Sequence, residues 1–494
     1  AGDALVGVLE LLSARDLAGG AAASRLLLLL ARELQRRPSL AAEVGAPGQV
    51  FAALGQRLVA APTIGFLFCT GQLRRSGVAE VLPKRLPLHC HVIGAETQEL
   101  QALVPGGRGC EGAAAELRNV QQRGQLSVML GSFPDATAQS FHVSAAACEA
   151  VSRGLEAAAE GKALERLMRR HHLPVGPDWG TIVLIVGRLD VRFDPECFVK
   201  GVQRCCPNAA VIGGVAGGGV LRHAHGRTSI CEEAGIVGLA LKGNVPLTAL
   251  VSRGCIPISP PLRARGHEVR RYENEDGGEE HCLMVPALVG AGGDERASVH
   301  VAVEFQQNAM ARKFRPFPFY IGYRFDSQGG YTLEQICQDN FGEGGELHLA
   351  WASGQASPDP LPECMVRFYQ LDPEESEKDL RQMLGYVKQH EEQTLGAIMF
   401  TCGERGAHFF RDTPLDMQTF HEVFPSQPLV GFWAGGEIGP QALAEALPEE
   451  ATRAGSAALQ GFTAVFGVFR VPPPPRRRTW PASMAEDQAA PAVA

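Results

Sequence analysis

The chain has 494 residues, too many for one hydrophobic core, and this length predicts two or three domains. Hydrophobic residues make up 45% of it and charged residues 20%, proportions typical of a soluble globular protein. The formal net charge of −8 argues against nucleic acid as the main partner, because nucleic-acid-binding domains carry a basic surface.

Cysteine usage indicates a reducing compartment, and we expect a cytoplasmic and nuclear location. The 13 cysteines are an odd number scattered along a long chain, unlike a secreted disulfide framework. The adjacent Cys205 and Cys206 have no second pair at zinc-site spacing, and His89 and His91 form no ligand set with them. We predict no metal and no cofactor. The longest apolar run, residues 26–31, is far too short for a membrane span, so no membrane partner is expected.

The first segment, residues 3–41, has the apolar spacing of short helices. Leu5, Leu9 and Leu12 recur at helical intervals, and Pro38 ends the region. This pattern predicts a small helical unit with a leucine and alanine core.

Three later stretches, 63–94, 181–213 and 396–431, share one pattern. Each has an apolar strand, a helical segment and a second apolar strand that reaches a glycine. Strand, crossover helix and strand of this length predict βαβ units, here on mixed sheets flanked by helices. The pattern indicates a duplication and a mixed α/β (α+β) fold class.

The remaining elements are strands, one long helix and a tail. The helix is predicted over 372–390, with Asp372 as its N-cap and Pro373 in its first turn. The Pro/Arg-rich tail at 471–494 lacks a core pattern and predicts disorder. The predicted strands lie at 125–130, 140–143, 236–241, 247–253, 298–305 and 319–323.

Two strand ends carry the side chains of greatest chemical interest. Cys402 lies close to Arg405, and a nearby cation lowers the pKa of a thiol. We interpret Cys402 first as a structural cysteine, second as a reactive thiol and last as a catalytic nucleophile. Glu437 follows Gly436 in a glycine-rich tip, where it either caps main-chain N–H groups or binds a ligand. Arg405 is its expected partner if the two strand ends are neighbours, either as a structural pair or as a ligand clamp.

The glycine-rich run at 213–219 is not a nucleotide-binding loop. No Gly-Lys-Ser/Thr follows it, and no dinucleotide fingerprint opens a helix there. A sharp turn or a close approach of main chain is the better interpretation.

Several motifs together resemble the FIST domains. The most specific is Gly-Glu-Ile-Gly-Pro at 436–440, within the longer match at 431–440. The resemblance covers about residues 62–470 and implies an N-terminal FIST domain at 62–245 and a C-terminal one at 246–470. The softer matches lie at 211–216, 254–258, 400–406 and 460–466.

Residues 3–41 resemble an F-box in the order of their side chains, notably at 8–17 and 21–25. An F-box binds the S-phase kinase-associated adaptor (the Skp adaptor) through an apolar face too small to be stable alone. The residues that this resemblance implies for the contact are Leu5, Leu9, Leu12, Asp16, Leu17, Ser24 and Arg25.

An F-box ahead of two FIST domains resembles the FIST-domain F-box proteins. The resemblance implies a substrate-recognition subunit of a Skp–cullin–F-box ubiquitin ligase, which presents protein substrates for proteasomal degradation. Such a subunit is not an enzyme, because it contributes proximity while the chemistry resides on other subunits. The alternative is a small-molecule sensor with a pocket lined by Cys402, Arg405, Gly436 and Glu437.

Overall fold

The computed structural model describes residues 37–58, 60–104, 116–120, 124–157, 161–189, 194–273, 279–312, 319–325, 331–336, 340–342, 344–351, 361–390, 393–406, 409–410, 414–441 and 457–471. The residues predicted to contact the Skp adaptor lie outside these ranges, as does the tail at 472–494. The helices in the described ranges are α1 (Pro47–Arg57), α2 (Val78–Arg85), α3 (Ala145–Ala157), α4 (Gly161–Arg170), α5 (Pro195–Cys205), α6 (Ser298–Arg312), α7 (Pro373–His390) and α8 (Leu415–Val423).

The described strands of the first part of the chain run to residue 243. They are β1 (Ser39–Gly45), β2 (Ile64–Thr70), β3 (His91–Thr97), β4 (Leu100–Val104), β5 (Glu116–Val120), β6 (Leu126–Ser132), β7 (Ala136–Ser144), β8 (Trp179–Val186), β9 (Ala210–Val215), β10 (Val220–Ala224), β11 (Arg227–Cys231) and β12 (Gly235–Gly243).

The described strands of the second part begin at residue 247. They are β13 (Leu247–Arg253), β14 (Cys255–Pro257), β15 (Leu262–Arg265), β16 (Glu268–Glu273), β17 (Glu279–Val285), β18 (Ala287–Val289), β19 (Glu295–Ala297), β20 (Phe319–Phe325), β21 (Thr332–Gln335), β22 (Leu347–Trp351), β23 (Cys364–Leu371), β24 (Thr394–Cys402), β25 (Leu429–Ala434), β26 (Glu437–Pro440), β27 (Ala457–Gln460) and β28 (Thr463–Arg470).

Three six-stranded sheets have the same strand order. They run β1-β6-β2-β3-β10-β11, β7-β12-β8-β9-β26-β27 and β13-β28-β24-β25-β4-β5. The central pair of each sheet is parallel, and α2, α5 or α8 connects its two strands. The three predicted βαβ units and the mixed α/β fold class are therefore confirmed.

The chain is built from three consecutive repeats of this unit. Each repeat contributes a first strand, the parallel pair, a hairpin and a last strand. The hairpin leaves its own sheet: β4–β5 joins the third sheet, β10–β11 the first and β26–β27 the second. The exchange closes a ring of three sheets. The predicted boundary at 245/246 falls between β12 and β13, and two of the exchanged hairpins cross it.

A glycine marks the same position in every unit. It lies on the second parallel strand, where the main chain of the first strand leaves no room for a side chain. An added Cβ would lie 2.1 Å from the Leu67 oxygen at Gly94, 1.9 Å from the Leu184 oxygen at Gly213 and 2.1 Å from the Met399 oxygen at Gly431.

The core follows from this arrangement. The inner faces of the three sheets share one hydrophobic cluster, which includes Phe66, Ile185 and Phe400. Each outer face packs against the helices of its own repeat: α1 and α2, then α3 to α5, then α7 and α8. Successive side chains of a strand point to opposite faces of its sheet. The last residues of the parallel strands therefore determine which side chains lie above the shared core.

An insertion between β13 and β24 builds two further sheets in the third repeat. One has seven strands, β19-β18-β15-β23-β20-β21 with β14 paired to β23, and the other is β16-β17-β22. The insertion has a core of its own, centred on Ile321, Val366 and Phe368.

Two local predictions were wrong and one is confirmed. Residues 298–305, predicted as a strand, begin α6, and Ser298, Val301 and Ala302 are buried at helical spacing. Residues 39–41, predicted to close a helical segment, pair in β1 with β6. The long helix is confirmed as α7: the Asp372 carboxylate accepts hydrogen bonds from the N–H groups of Glu374 and Glu375 at 3.1 and 3.2 Å. The buried apolar face of α7 consists of Leu380, Met383, Leu384 and Val387.

Candidate functional site

A cavity of about 520 Å³ lies at the carboxyl ends of β24 and β25. Cys402 and Ala434 face each other across the last register pair of these strands, and both line the cavity. The insertion closes one side through β14, β21 and β23, and the turn between β27 and β28 closes another. The carboxyl ends of parallel strands are where open α/β sheets bind ligands. We call this space the first cavity.

The main chain of one wall is strained and tightly packed. Phe462, in the β27–β28 turn, has a φ of 61°, a left-handed conformation that is unusual for an aromatic residue. A Cβ added at Gly254 would lie 2.1 Å from the Phe462 carbonyl oxygen. The Phe462 ring packs on Tyr320 with ring centroids 4.1 Å apart. Strain of this kind costs about 1–3 kcal/mol and concentrates at functional sites.

Cys402 is a buried thiol at the cavity wall, with 7% of its surface exposed. Burial raises the pKa of Cys402 to about 12, and the nearby Glu437 carboxyl acts in the same direction. The N–H groups of Glu404 and Phe462 and the charge of Arg405 oppose the shift but are outweighed. The thiol is protonated at neutral pH, which favours the structural interpretation over a reactive thiol.

Arg405 lies behind the cavity wall, and its side chain is fully buried. Its Nε and Nη2 donate to the two carboxylate oxygens of Asp416 at 3.0 and 2.6 Å. Its guanidinium also lies 5.3 Å from the ring centre of Phe410. The hydrogen-bonded partner of Arg405 is therefore Asp416 on α8, and not Glu437 as predicted.

Glu437 is fully buried on β26, directly beside the cavity wall. Its Oε2 accepts hydrogen bonds from the Thr463 N–H and hydroxyl at 3.2 and 2.9 Å, which tie β26 to β28. Burial raises the pKa of Glu437 to about 8, against the lowering effect of Thr463 and Arg405. Its Oε1 has no hydrogen-bond partner among the described residues. At neutral pH the carboxyl is mostly protonated.

The four predicted pocket residues lie together in two layers. Cys402 and Gly436 line the first cavity, while Arg405 and Glu437 lie behind its wall. Sequence reasoning missed Phe462, because no local pattern predicts a left-handed phenylalanine. It also missed Asp416 and Thr463, whose roles follow only from the packing of α8 and β28 against the strand ends.

No cluster of three or more histidine, cysteine or acidic side chains among the described residues is arranged to hold a metal ion. No helix within the described ranges is both long and apolar enough to cross a membrane.

Comparisons with known proteins identify related sequences. Residues 63–271 match the FIST N domain and residues 360–440 the FIST C domain. An uncharacterized protein of Mycobacterium bovis is 30% identical over 288 residues, which cover 56% of this chain and 64% of that protein. The match thus spans less than two thirds of that relative. An uncharacterized protein of Mycobacterium tuberculosis is 26% identical over 373 residues, covering 73% of this chain and 82% of that protein.

A solved structure is also matched, the cyanuric acid hydrolase from A. caulinodans. The match covers 44% of this chain and 72% of that chain, with 9% identity and a TM-score of 0.20. A likeness this weak supports no statement about fold or function.

These relatives correct the predicted function. The matched domains are FIST domains and the relatives are mycobacterial, whereas bacteria have neither the Skp adaptor nor cullins. The prediction of a Skp–cullin–F-box ligase subunit is therefore wrong. So are the predicted adaptor, cullin and protein-substrate partners and the link to proteasomal degradation.

Proposed function

We propose that this chain, which contains a FIST N domain and a FIST C domain, is a sensor that binds a small polar molecule in the first cavity. The observation that carries the proposal is the cavity itself. Its volume of about 520 Å³ is within the range of about 300–1,000 Å³ found for small-molecule sites. It also lies at the ends of a parallel strand pair, beside strained main chain.

The wall favours a ligand with one apolar part and one polar end. The rings of Tyr331 and Tyr369 lie edge to face with centroids 5.9 Å apart, and Leu333 adds apolar surface beside them. Arg253 also lines the cavity, and its guanidinium is held by Asp379 at 2.6 Å. That pairing neutralises the charge of Arg253, which suits a polar ligand better than a strongly charged one.

We propose binding without chemical conversion. A general base must accept a proton at the working pH. The raised pKa of Glu437 leaves its carboxyl protonated at neutral pH, so it is not available to ionise the Cys402 thiol. The absence of catalysis, predicted from the resemblance, stays a proposal.

The cavity is placed to convert binding into a conformational signal. Its walls come both from the ring of three sheets and from the insertion, through β14 and β23. A ligand that contacts both the ring and the insertion changes the free energy of their packing, which is the requirement for coupling a site to a conformational change.

The cytoplasmic and nuclear location stays a prediction.

A cavity-filling variant tests the proposal in a thermal-shift screen against small polar metabolites. Gly461 lies in the cavity wall, and a Cβ added there meets no atom within 4 Å, so Gly461→Leu is designed to place a new apolar side chain at the wall of the proposed site. Gly55 is exposed on α1 and equally open, which makes Gly55→Leu the matched control. We expect at least one metabolite to raise the Tm of the wild type and of Gly55→Leu but not of Gly461→Leu. No shift across the panel, or a shift that Gly461→Leu retains, would refute the proposal.

A further inference from the structure

A second cavity, of about 780 Å³, lies at the carboxyl ends of β2 and β3 in the first repeat. Thr70 and Thr97 form the last register pair of these parallel strands, and both line it. None of the residues named above as lining the first cavity lines the second one.

The second cavity occupies in the first repeat the position that the first cavity occupies in the third. In both, the wall residue on the second parallel strand lies three positions beyond the close-contact glycine: Thr97 follows Gly94 as Ala434 follows Gly431. The sheets share one strand order. The same kind of cavity therefore occurs at equivalent strand ends in the first and third repeats.

One wall side chain has an unused hydrogen-bonding group. Thr97 is 6% exposed, and its hydroxyl has no partner among the described residues. Buried hydroxyls are nearly always hydrogen-bonded, and leaving one unsatisfied costs about 1–3 kcal/mol. A ligand oxygen that reaches this buried hydroxyl from the cavity would accept its hydrogen bond and remove the penalty.

The wall also presents a cation. Arg75 lies exposed in the short turn Leu73–Ser76 and lines the cavity, whereas its neighbour Arg74 is paired with Glu232 at 3.2 Å. The carboxylate of the wall, Glu96, has both oxygens bound by main-chain N–H groups. They accept from Leu73 at 2.6 Å and from Gly219 at 3.0 Å. Glu96 therefore holds the rim together, and Arg75 is an exposed cation in the wall.

Glycines leave the main chain of the wall uncovered. Gly71, Gly124 and Gly217 line the cavity with φ values of 102°, 82° and 72°, conformations that side chains disfavour. Uncovered main chain lets the polar groups of a ligand approach N–H groups closely, a feature of many anion sites. The glycine-rich run at 213–219 thus contributes to this rim through Gly217 and Gly218.

We propose that the second cavity binds a small metabolite through an oxyanion, either a carboxylate or a phosphate. Arg75 holds the anionic group, and the Thr97 hydroxyl donates to an oxygen of the same molecule. Arg is the side chain best suited to such recognition, because its planar guanidinium matches both carboxylate and phosphate. This site is independent of the sensor proposed for the first cavity.

Calorimetric titration of the full chain with succinate and, separately, with inorganic phosphate at low salt tests the proposal. We expect at least one anion to bind, with Arg75→Gln weakening it at least tenfold and Thr97→Val several-fold. Succinate alone would identify a carboxylate site, phosphate alone a phosphate site, and both a general oxyanion site. Arg75 is exposed, so Arg75→Gln leaves the fold intact and decides the question even if Thr97→Val does not fold.

Two controls make the test specific. Arg74→Gln removes an equal charge one residue away, and Gly461→Leu changes the wall of the first cavity and not that of the second; both should retain the wild-type affinity. The proposal is overturned if neither anion binds, or if Arg74→Gln weakens binding as much as Arg75→Gln does. Loss of anion binding in Gly461→Leu would also overturn it, by placing the anion in the first cavity.

Discussion

Burial decides the chemistry of the individual residues beside the first cavity. Cys402 was predicted to be a candidate reactive thiol because Arg405 follows it, yet burial and Glu437 outweigh that cation. Cys402 and Gly436 both line the first cavity, because they lie at the carboxyl ends of the two parallel strands of one βαβ unit. The sequence did not identify Asp416 as the partner of Arg405, since only packing of α8 on the strand ends brings the two together.

Glu437 should make the stability of the protein depend on pH. Burial raises its pKa in the folded chain from 4.5 to about 8. Its stabilising contribution is therefore complete below pH ~4.5 and is lost as pH rises through the folded pKa. We expect the free energy of unfolding of the wild type to fall by about 4 kcal/mol relative to Glu437→Gln between pH 5 and pH 9. Urea unfolding of both proteins measures this, and parallel pH profiles would contradict it.

The Arg405–Asp416 pair should be costly to break from one side. Both side chains are buried, at 0% and 1% exposure. Removing one partner leaves the buried charge of the other unpaired. Arg405→Met should therefore lower the free energy of unfolding by about 3–5 kcal/mol. The double variant Arg405→Met/Asp416→Leu should recover most of that loss. If the double variant is less stable than Arg405→Met, the pair is not the reason for the loss.

At the scale of elements, the periodicity of apolar residues predicted the strands and helices that form within short segments. It did not predict which strands pair when they are far apart in the sequence. The parallel strands, their helices and the Asp372 cap were all predicted from short patterns. The alternating valines after Ser298 were misread because period two and period three to four overlap in a short valine-rich run. The exchanged hairpins carry no local mark of their destination, since β4 pairs with a strand more than 300 residues away.

The close-contact glycines offer a test of the repeated unit. A Cβ at Gly431 would lie 2.1 Å from the Met399 oxygen, whereas one at Gly435, just beyond the same strand, would lie 3.9 Å from its nearest neighbour. Gly431→Ala should therefore destabilise the protein by about 1–3 kcal/mol, and Gly435→Ala should leave its stability nearly unchanged. Thermal unfolding of the two variants measures the difference. Equal stabilities would contradict the close contact.

At the scale of the whole molecule, three repeats exchange hairpins and close a ring. The sequence predicted the repeated βαβ unit and the FIST resemblance, and the matches at 63–271 and 360–440 confirm that both FIST domains are present. The ligase function inferred from residues 3–41 was wrong. Helical spacing of Leu5, Leu9 and Leu12 specifies an apolar face but does not specify which partner covers it.

The ring should prevent the two predicted FIST halves from folding separately. Cutting at 245/246 removes β26–β27 from the second sheet and β4–β5 from the third. We expect residues 1–245 and 246–494 to show no cooperative thermal unfolding when produced alone, and to recover it when produced together. Circular dichroism and co-purification measure this. Cooperative unfolding of either fragment alone would show that the exchange is dispensable.

The central claim, that the first cavity binds a small polar molecule, is tested most directly by titration. A metabolite identified by its thermal shift is titrated calorimetrically into the wild type, Gly461→Leu and Gly55→Leu. We predict one site per chain, with the same Kd in the wild type and Gly55→Leu and at least a hundredfold weaker binding in Gly461→Leu. Wild-type affinity in a correctly folded Gly461→Leu would contradict the claim, because Gly461 lies in the wall of the proposed site.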